Sequence, residues 1–238
     1  IRMELNRHGV DVLLHIHVPM YIKRTKAGKV SQLDVSYDKG TKEGENIETP
    51  MYLEVDRMID PEFMKLLEED LVRILRDVRS AVADWKPMRE KMNSIVSELE
   101  SSPPPMRQDR IQEAVDFLRW VKENHFVFMG ARTYDLKDEG DDLYLRSVKG
   151  SGLGILADER KYSEYQLSRS PKGAQKLALS TDHILVLTKT STLSTVHRSS
   201  HVDYIGVKRF SEKGEVIGEH RFFGLFTSAA YNMDPQLI

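Results

Sequence analysis

Six cationic side chains, Lys189, His197, Arg198, Lys208, Arg209 and Arg221, crowd the carboxy-terminal part of this 238-residue chain. Several fall in segments whose other residues are apolar or aromatic. A guanidinium is a planar fork of donors matched to a carboxylate, and a lysine adds a point charge. If the six converge on a sheltered space, they would hold an anion such as the carboxylate of an amino-acid effector. Asp203, Glu212, Glu215 and Glu219 stand close by in the sequence. Ordinary ion pairs with them would occupy the same cations without any function. The sequence leaves both readings open.

Three other constellations carry less. Gly150, Gly152 and Gly154 follow an expected strand, but the dinucleotide fingerprint G-x-G-x-x-G needs glycine where this chain has Ile155. It also needs a helix opening within the glycines to face the pyrophosphate. A close turn between backbone segments is the plainer reading. His15 and His17 share one face of an expected strand, a start toward a zinc site, yet a catalytic zinc needs a third protein ligand and no H-E-x-x-H follows. Ser194, His197 and Asp203 contain the types of a nucleophilic triad, without the sharp elbow that exposes a catalytic serine. No catalytic, cofactor-binding or metal-ligating residue is assigned.

The elements that must position these residues are readable from periodicity. Residues Val202 to Phe210 and Glu215 to Phe226 read as a β-hairpin turning at Ser-Glu-Lys-Gly214. Strands are also expected over Val10–Arg24, Val30–Val35, Pro50–Met58, Phe126–Leu136, Leu143–Val148 and His183–Thr190. Tyr37–Glu48 reads as a polar loop, and Asp138–Asp142 as an acidic turn. Asp60 caps a helix with Pro61 at its first position; Phe63, Leu67, Leu71, Ile74, Val78, Val82 and Trp85 give it one apolar stripe. A second helix continues from about Pro87 through Met92, Ile95 and Leu99 to the linker Ser101–Pro105. A third covers about Gln108–Glu123, and a short one Pro171–Leu179. Strands and helices in this order predict an α+β fold with two sheet-bearing modules bridged by helices.

Thirty-five Lys and Arg against 37 Asp and Glu give a net charge of −2. That balance makes no case for a nucleic-acid partner or an acidic membrane surface. Without cysteine there is no disulfide or thiolate chemistry. No apolar run approaches the roughly 20 residues of a membrane span, and a cytoplasmic location is the expectation.

The wording of the hairpin, HRSSHVDYIGVKRF (197–210) followed by GEVIGEHRFFGLFTSAAY (214–231), resembles the large NAD-specific glutamate dehydrogenases of bacteria. VKENHFVFMGARTYDL (121–136), GSGLGIL (150–156), LVLTK (185–189), STVHR (194–198) and AVADWKPM (81–88) extend the resemblance. It implies ACT-like modules of the ferredoxin-like βαββαβ type and a PAS-like module. The expected division is an ACT-like module with its packing helix at 1–86 and a helical linker at 87–125. A second β-rich, PAS-like module follows at 126–180, with truncated ACT-like strands at 181–238. The resemblance further implies a non-catalytic excerpt of a longer enzyme, an expectation the absence of an initiating Met at Ile1 matches. The parent would oxidise L-glutamate with NAD, which binds elsewhere in that polypeptide. This part would regulate or assemble it, as a homo-oligomer in contact with the catalytic region and with an amino-acid effector as ligand. A purely structural oligomerisation module is the alternative. The ending Asp234–Ile238, close after a strand, suggests an incomplete last module.

Overall fold

The structure is a computed structural model and describes residues 1–34, 46–140 and 142–231. Val35, most of the expected loop Tyr37–Glu48, Asp141 of the acidic turn and the ending Asp234–Ile238 lie outside the described residues. The protein is α+β, as expected, and divides into two compact units, Ile1–Leu71 and Val72–Ile238.

The first unit contains α1 (Arg2–Arg7), β1 (Val12–His17), β2 (Met20–Arg24), β3 (Val30–Asp34), β4 (Asn46–Glu48), β5 (Met51–Val55) and the beginning of α2 (Pro61–Ala83). The long strand expected over Val10–Arg24 is broken at Val18-Pro19, since proline cannot donate to a ladder. β1 pairs antiparallel with β5, while β2 is central in the sheet β3-β2-β4. Among the described residues the unit's order is αβββββα. Leu5, Val10 and Leu67 form the unit's core cluster, with Phe63 and Leu71 packed on it. Asp60 caps α2 as predicted, its Oδ1 accepting the Glu62 N–H at 2.9 Å.

The second unit opens with the remainder of α2, then α3 (Trp85–Ser101) and α4 (Gln108–Trp120). A π-helical turn at Val121–His125 ends α4, with Asn124 in the left-handed region at φ 66°. Then come β6 (Phe126–Glu139), β7 (Asp142–Ser147), β8 (Leu153–Gly154), β9 (Glu164–Gln166), α5 (Lys172–Leu179), β10 (Leu185–Leu193), β11 (His201–Phe210), β12 (Val216–Phe226) and α6 (Ser228–Tyr231). One seven-stranded sheet runs β10-β11-β12-β6-β7-β9, with β8 beside β6.

That order corrects two expected boundaries. Residues 126–180 and 181–238 are not separate modules, because β12 pairs along its length with β6, from Phe226↔Phe126 to Gly218↔Asp135. Nor are 87–125 a linker. Met88, Met92, Ile95 and Leu99 of α3, with Ile111, Val115 and Leu118 of α4, pack into one core with Phe128, Ala131, Ile205, Val207 and Phe222 of the sheet. Both helices therefore belong to the sheet they cover. Among the described residues no helix is long and apolar enough to cross a membrane.

The glycine run serves the sheet. Gly154 pairs with Gly130 of β6 at φ 59°, and a Cβ there would stand 2.1 Å from the Met129 carbonyl oxygen. Turns rather than a helix follow, through Tyr162, so the plainer reading of the run is the one the geometry matches. Gly154→Ala is expected to lower the stability of this unit by roughly 2 kcal/mol or more. Thermal unfolding of the variant, with the midpoint down by several degrees, checks it.

Candidate functional site

The helix-covered face of the sheet carries a polar group inside its apolar core. Pairing sets Val207 of β11, His220 of β12 and Thr133 of β6 in one row across three strands. Strand alternation keeps their side chains on the face that α3 covers. Lys91 of α3 donates from Nζ to Thr133 Oγ1 at 2.7 Å, and Thr133 Oγ1 lies 3.0 Å from His220 Nδ1. The lysine can only donate. The threonine hydroxyl accepts from it and has its own proton free to meet Nδ1 of an imidazole protonated on Nε2.

The next row is Arg209, Gly218 and Asp135. Gly218 has no side chain to stand between its neighbours, and Arg209 crosses β12 to reach β6. Its Nη1 donates to Asp135 Oδ1 at 2.6 Å and to the Tyr134 carbonyl at 3.3 Å. A Cβ on Gly218 would stand 2.1 Å from that same carbonyl oxygen.

Three nitrogen groups are thus gathered on one face. Burial and the Arg209 charge hold the Lys91 ammonium below its ordinary range. Burial, Lys91 and Arg209 push His220 down to about 3, so it is neutral near pH 7. Arg209 and His220 line a cleft of about 420 Å³, within the range of roughly 300–1,000 Å³ usual for small-molecule sites. Lys208, Glu98 and Glu212 are the other charged residues of its lining.

The six residues expected to form an anion site do not meet. Lys208 and Arg209 are consecutive on β11 and so face opposite sides of the sheet. The Lys208 ammonium is buried and donates to the Ser180 carbonyl at 2.6 Å. Burial lowers its pKa. Arg221, one residue from His220, also faces away. Its guanidinium donates to Glu219 Oε1 and lies 4.2 Å from the centre of the Tyr134 ring, with Tyr204 and Tyr165 close by. Glu219 accepts from the Tyr204 hydroxyl as well. Lys189 pairs with Asp203, and Arg198 donates to the Phe226 carbonyl at 2.8 Å. His197 is exposed, with φ 69°. Of the expected set, Arg209 alone contributes its side chain to the gathered group. Lys91 and His220, absent from that set, complete it.

The remaining constellations lead elsewhere. Ser194 Oγ donates to the Val196 carbonyl, and Asp203 accepts from Lys189 and the Phe226 N–H, so the triad types do not assemble. His15 and His17 share a face as expected, with ring centres 4.9 Å apart. Glu4, His8 and Asp70 of the first unit bring ligating atoms within 4.8 Å of one another. There the Arg7 guanidinium already donates to both carboxylates.

The low pKa of His220 has a consequence for stability. The unfolded side chain takes up a proton near pH 6.5, but the folded one only near 3. Between those values the unfolded chain binds more protons, so stability falls as pH is lowered through that window. His220→Asn is expected to flatten the fall between about pH 6.5 and 4, measured by denaturant unfolding at a series of pH values. An unchanged slope would show that His220 is not held neutral.

Residues 1–71 match the family model described as glutamate dehydrogenase, ACT1 domain. Over 99% of its length the chain is 30% identical to the NAD-specific glutamate dehydrogenase of Halomonas elongata. Over 98% it is 31% identical to that of Pseudomonas aeruginosa. A protein of the same description from Mycobacterium tuberculosis is 25% identical over 77% of the chain. The chain spans 15% and 14% of the lengths of the first two.

Proposed function

We propose, given that the chain belongs to the family of NAD-specific glutamate dehydrogenases, that it is a non-catalytic regulatory segment sensing an amino-acid effector. In the whole protein the reaction would convert L-glutamate, NAD and water to 2-oxoglutarate, ammonia and NADH. NAD would be held by a catalytic region outside these 238 residues, and the partners would be that region and further copies of the protein in the cytoplasm.

The observation that carries this reading is that Arg209 and His220 line a cleft of about 420 Å³, with Lys91 linked to His220 through Thr133. A carboxylate there would accept from the remaining guanidinium N–H groups of Arg209, in the strong, charge-assisted class of hydrogen bond. Lys91 and neutral His220 would add to the favourable field. An effector shifts an enzyme between states only by binding them with different affinity. This cleft, built from α3 of the cover and β11 and β12 of the sheet, would couple binding to how the two layers pack.

A specific observation also favours assembly as a second role. Leu14, Ile16 and Tyr52 are exposed on one face of the β1–β5 ribbon, where Ile16 pairs with Tyr52. Exposed apolar surface of this kind marks interaction faces.

Thermal unfolding of the chain with each common amino acid tests the regulatory reading. A ligand at about 100 times its dissociation constant adds roughly 2.7 kcal/mol, a midpoint shift of several degrees. The shift should disappear in Arg209→Gln, and no shift with any amino acid would reject the effector. For the assembly role, sedimentation should show self-association that rises with concentration; a strict monomer would count against it.

A further inference from the structure

Resting on the reading of this cleft as an effector site, we infer that its ligand is an α-amino acid with an aliphatic side chain, and that glutamate is excluded. The cleft has two unlike walls. Arg209 and His220 stand on the sheet, with Lys91 behind them through Thr133. Facing them are Ile95 and Leu99 of α3 and the run Pro103, Pro104 and Pro105 that follows the helix, with Phe210 at the end of β11.

The proline wall decides the side chain. Proline has no backbone N–H, so three in succession offer carbonyl acceptors and apolar rings but no donor. One of those carbonyls, Pro104, already accepts the Met106 N–H at 2.7 Å. Ile95 and Leu99 add nothing polar. An aliphatic side chain loses nothing on meeting this surface and gains by leaving water. A second carboxylate or an amide would give up water there for no more than the Ser102 and Ser211 hydroxyls, since Ser180 already holds the Lys208 ammonium.

Charge at the rim points the same way. Glu98 and Glu212 are exposed and line the cleft. They suit the ammonium of a zwitterion whose carboxylate lies toward Arg209, and they repel a side-chain carboxylate. The site thereby takes up the two charges common to every α-amino acid and reads the side chain by hydrophobicity. A regulatory site of this composition would not be filled by glutamate itself.

Calorimetric titration of the 238-residue chain with L-leucine, L-glutamate and 4-methylpentanoate, the leucine skeleton without its amino group, tests this. Leucine should bind roughly tenfold or more tightly than either of the others, the scale of one charged hydrogen bond. In the double variant Glu98→Gln, Glu212→Gln, which alters only exposed side chains, leucine and 4-methylpentanoate should bind alike. Arg209→Gln should weaken both by roughly tenfold or more, with circular dichroism confirming that the variant folds. Glutamate binding as tightly as leucine would overturn the aliphatic assignment and leave the effector reading standing. No binding by any of the three carboxylates would overturn both.

Discussion

The packing of α3 and α4 on one face of the seven-stranded sheet is the interaction on which the second unit depends. Met88, Met92, Val115 and Leu118 are all but fully buried there, and each would cost about 2–5 kcal/mol if cut back to alanine. That cover fixes where α3 can stand. Lys91 adjoins Met92, so once Met92 is seated the ammonium has Thr133 within reach. A buried amine so placed is tolerable because its partner is fixed in turn by β6–β12 pairing. The polar group is thus a consequence of the apolar packing around it, and would not survive a shift of the helix by one residue.

The two faces of the sheet handle charge differently. On the face of the β11–β12 pair away from α3 and α4, Arg221 is enclosed by Glu219 and three tyrosine rings, and Lys208 is bound to a carbonyl. Those cations are already matched by the chain's own groups. On the helix-covered side, Lys91 and Arg209 lower the proton affinity of His220, and Arg209 pairs with Asp135. Neighbouring basic residues on a strand therefore enter different networks on its two faces. Alternation along the strand decides which.

Much of this was legible in the sequence. The cap at Asp60, the closing hairpin and most of the helix stripes follow from local spacing and appear where expected, whereas Val82 and Trp85 of the first stripe are exposed. The merger of 126–180 with 181–238 was hidden because it depends on β12 meeting β6, a pairing no local pattern announces. Neither β8 nor β9 is long enough to show a period. The expected anion set failed on a rule available at the outset: neighbours on a strand cannot share a face, so Lys208 with Arg209, or His220 with Arg221, had to separate. Lys91 carried a signal too, a lone cation within the stripe of Met88, Met92 and Ile95. It resembles any surface lysine until the sheet beneath the helix is known.

The pairing of Phe226 with Phe126 also sets a timetable. During synthesis the two cover helices and β6 leave the ribosome long before β12 exists, since about a hundred residues separate the paired ends. At typical elongation of roughly 5–20 residues per second, that interval lasts several seconds. Throughout it the apolar face of β6 has no central neighbour, and the long loop must close before the contacts that reward closure can form. A nascent chain of this kind is exposed to misassociation over that interval, and β12 is the strand that ends the exposure.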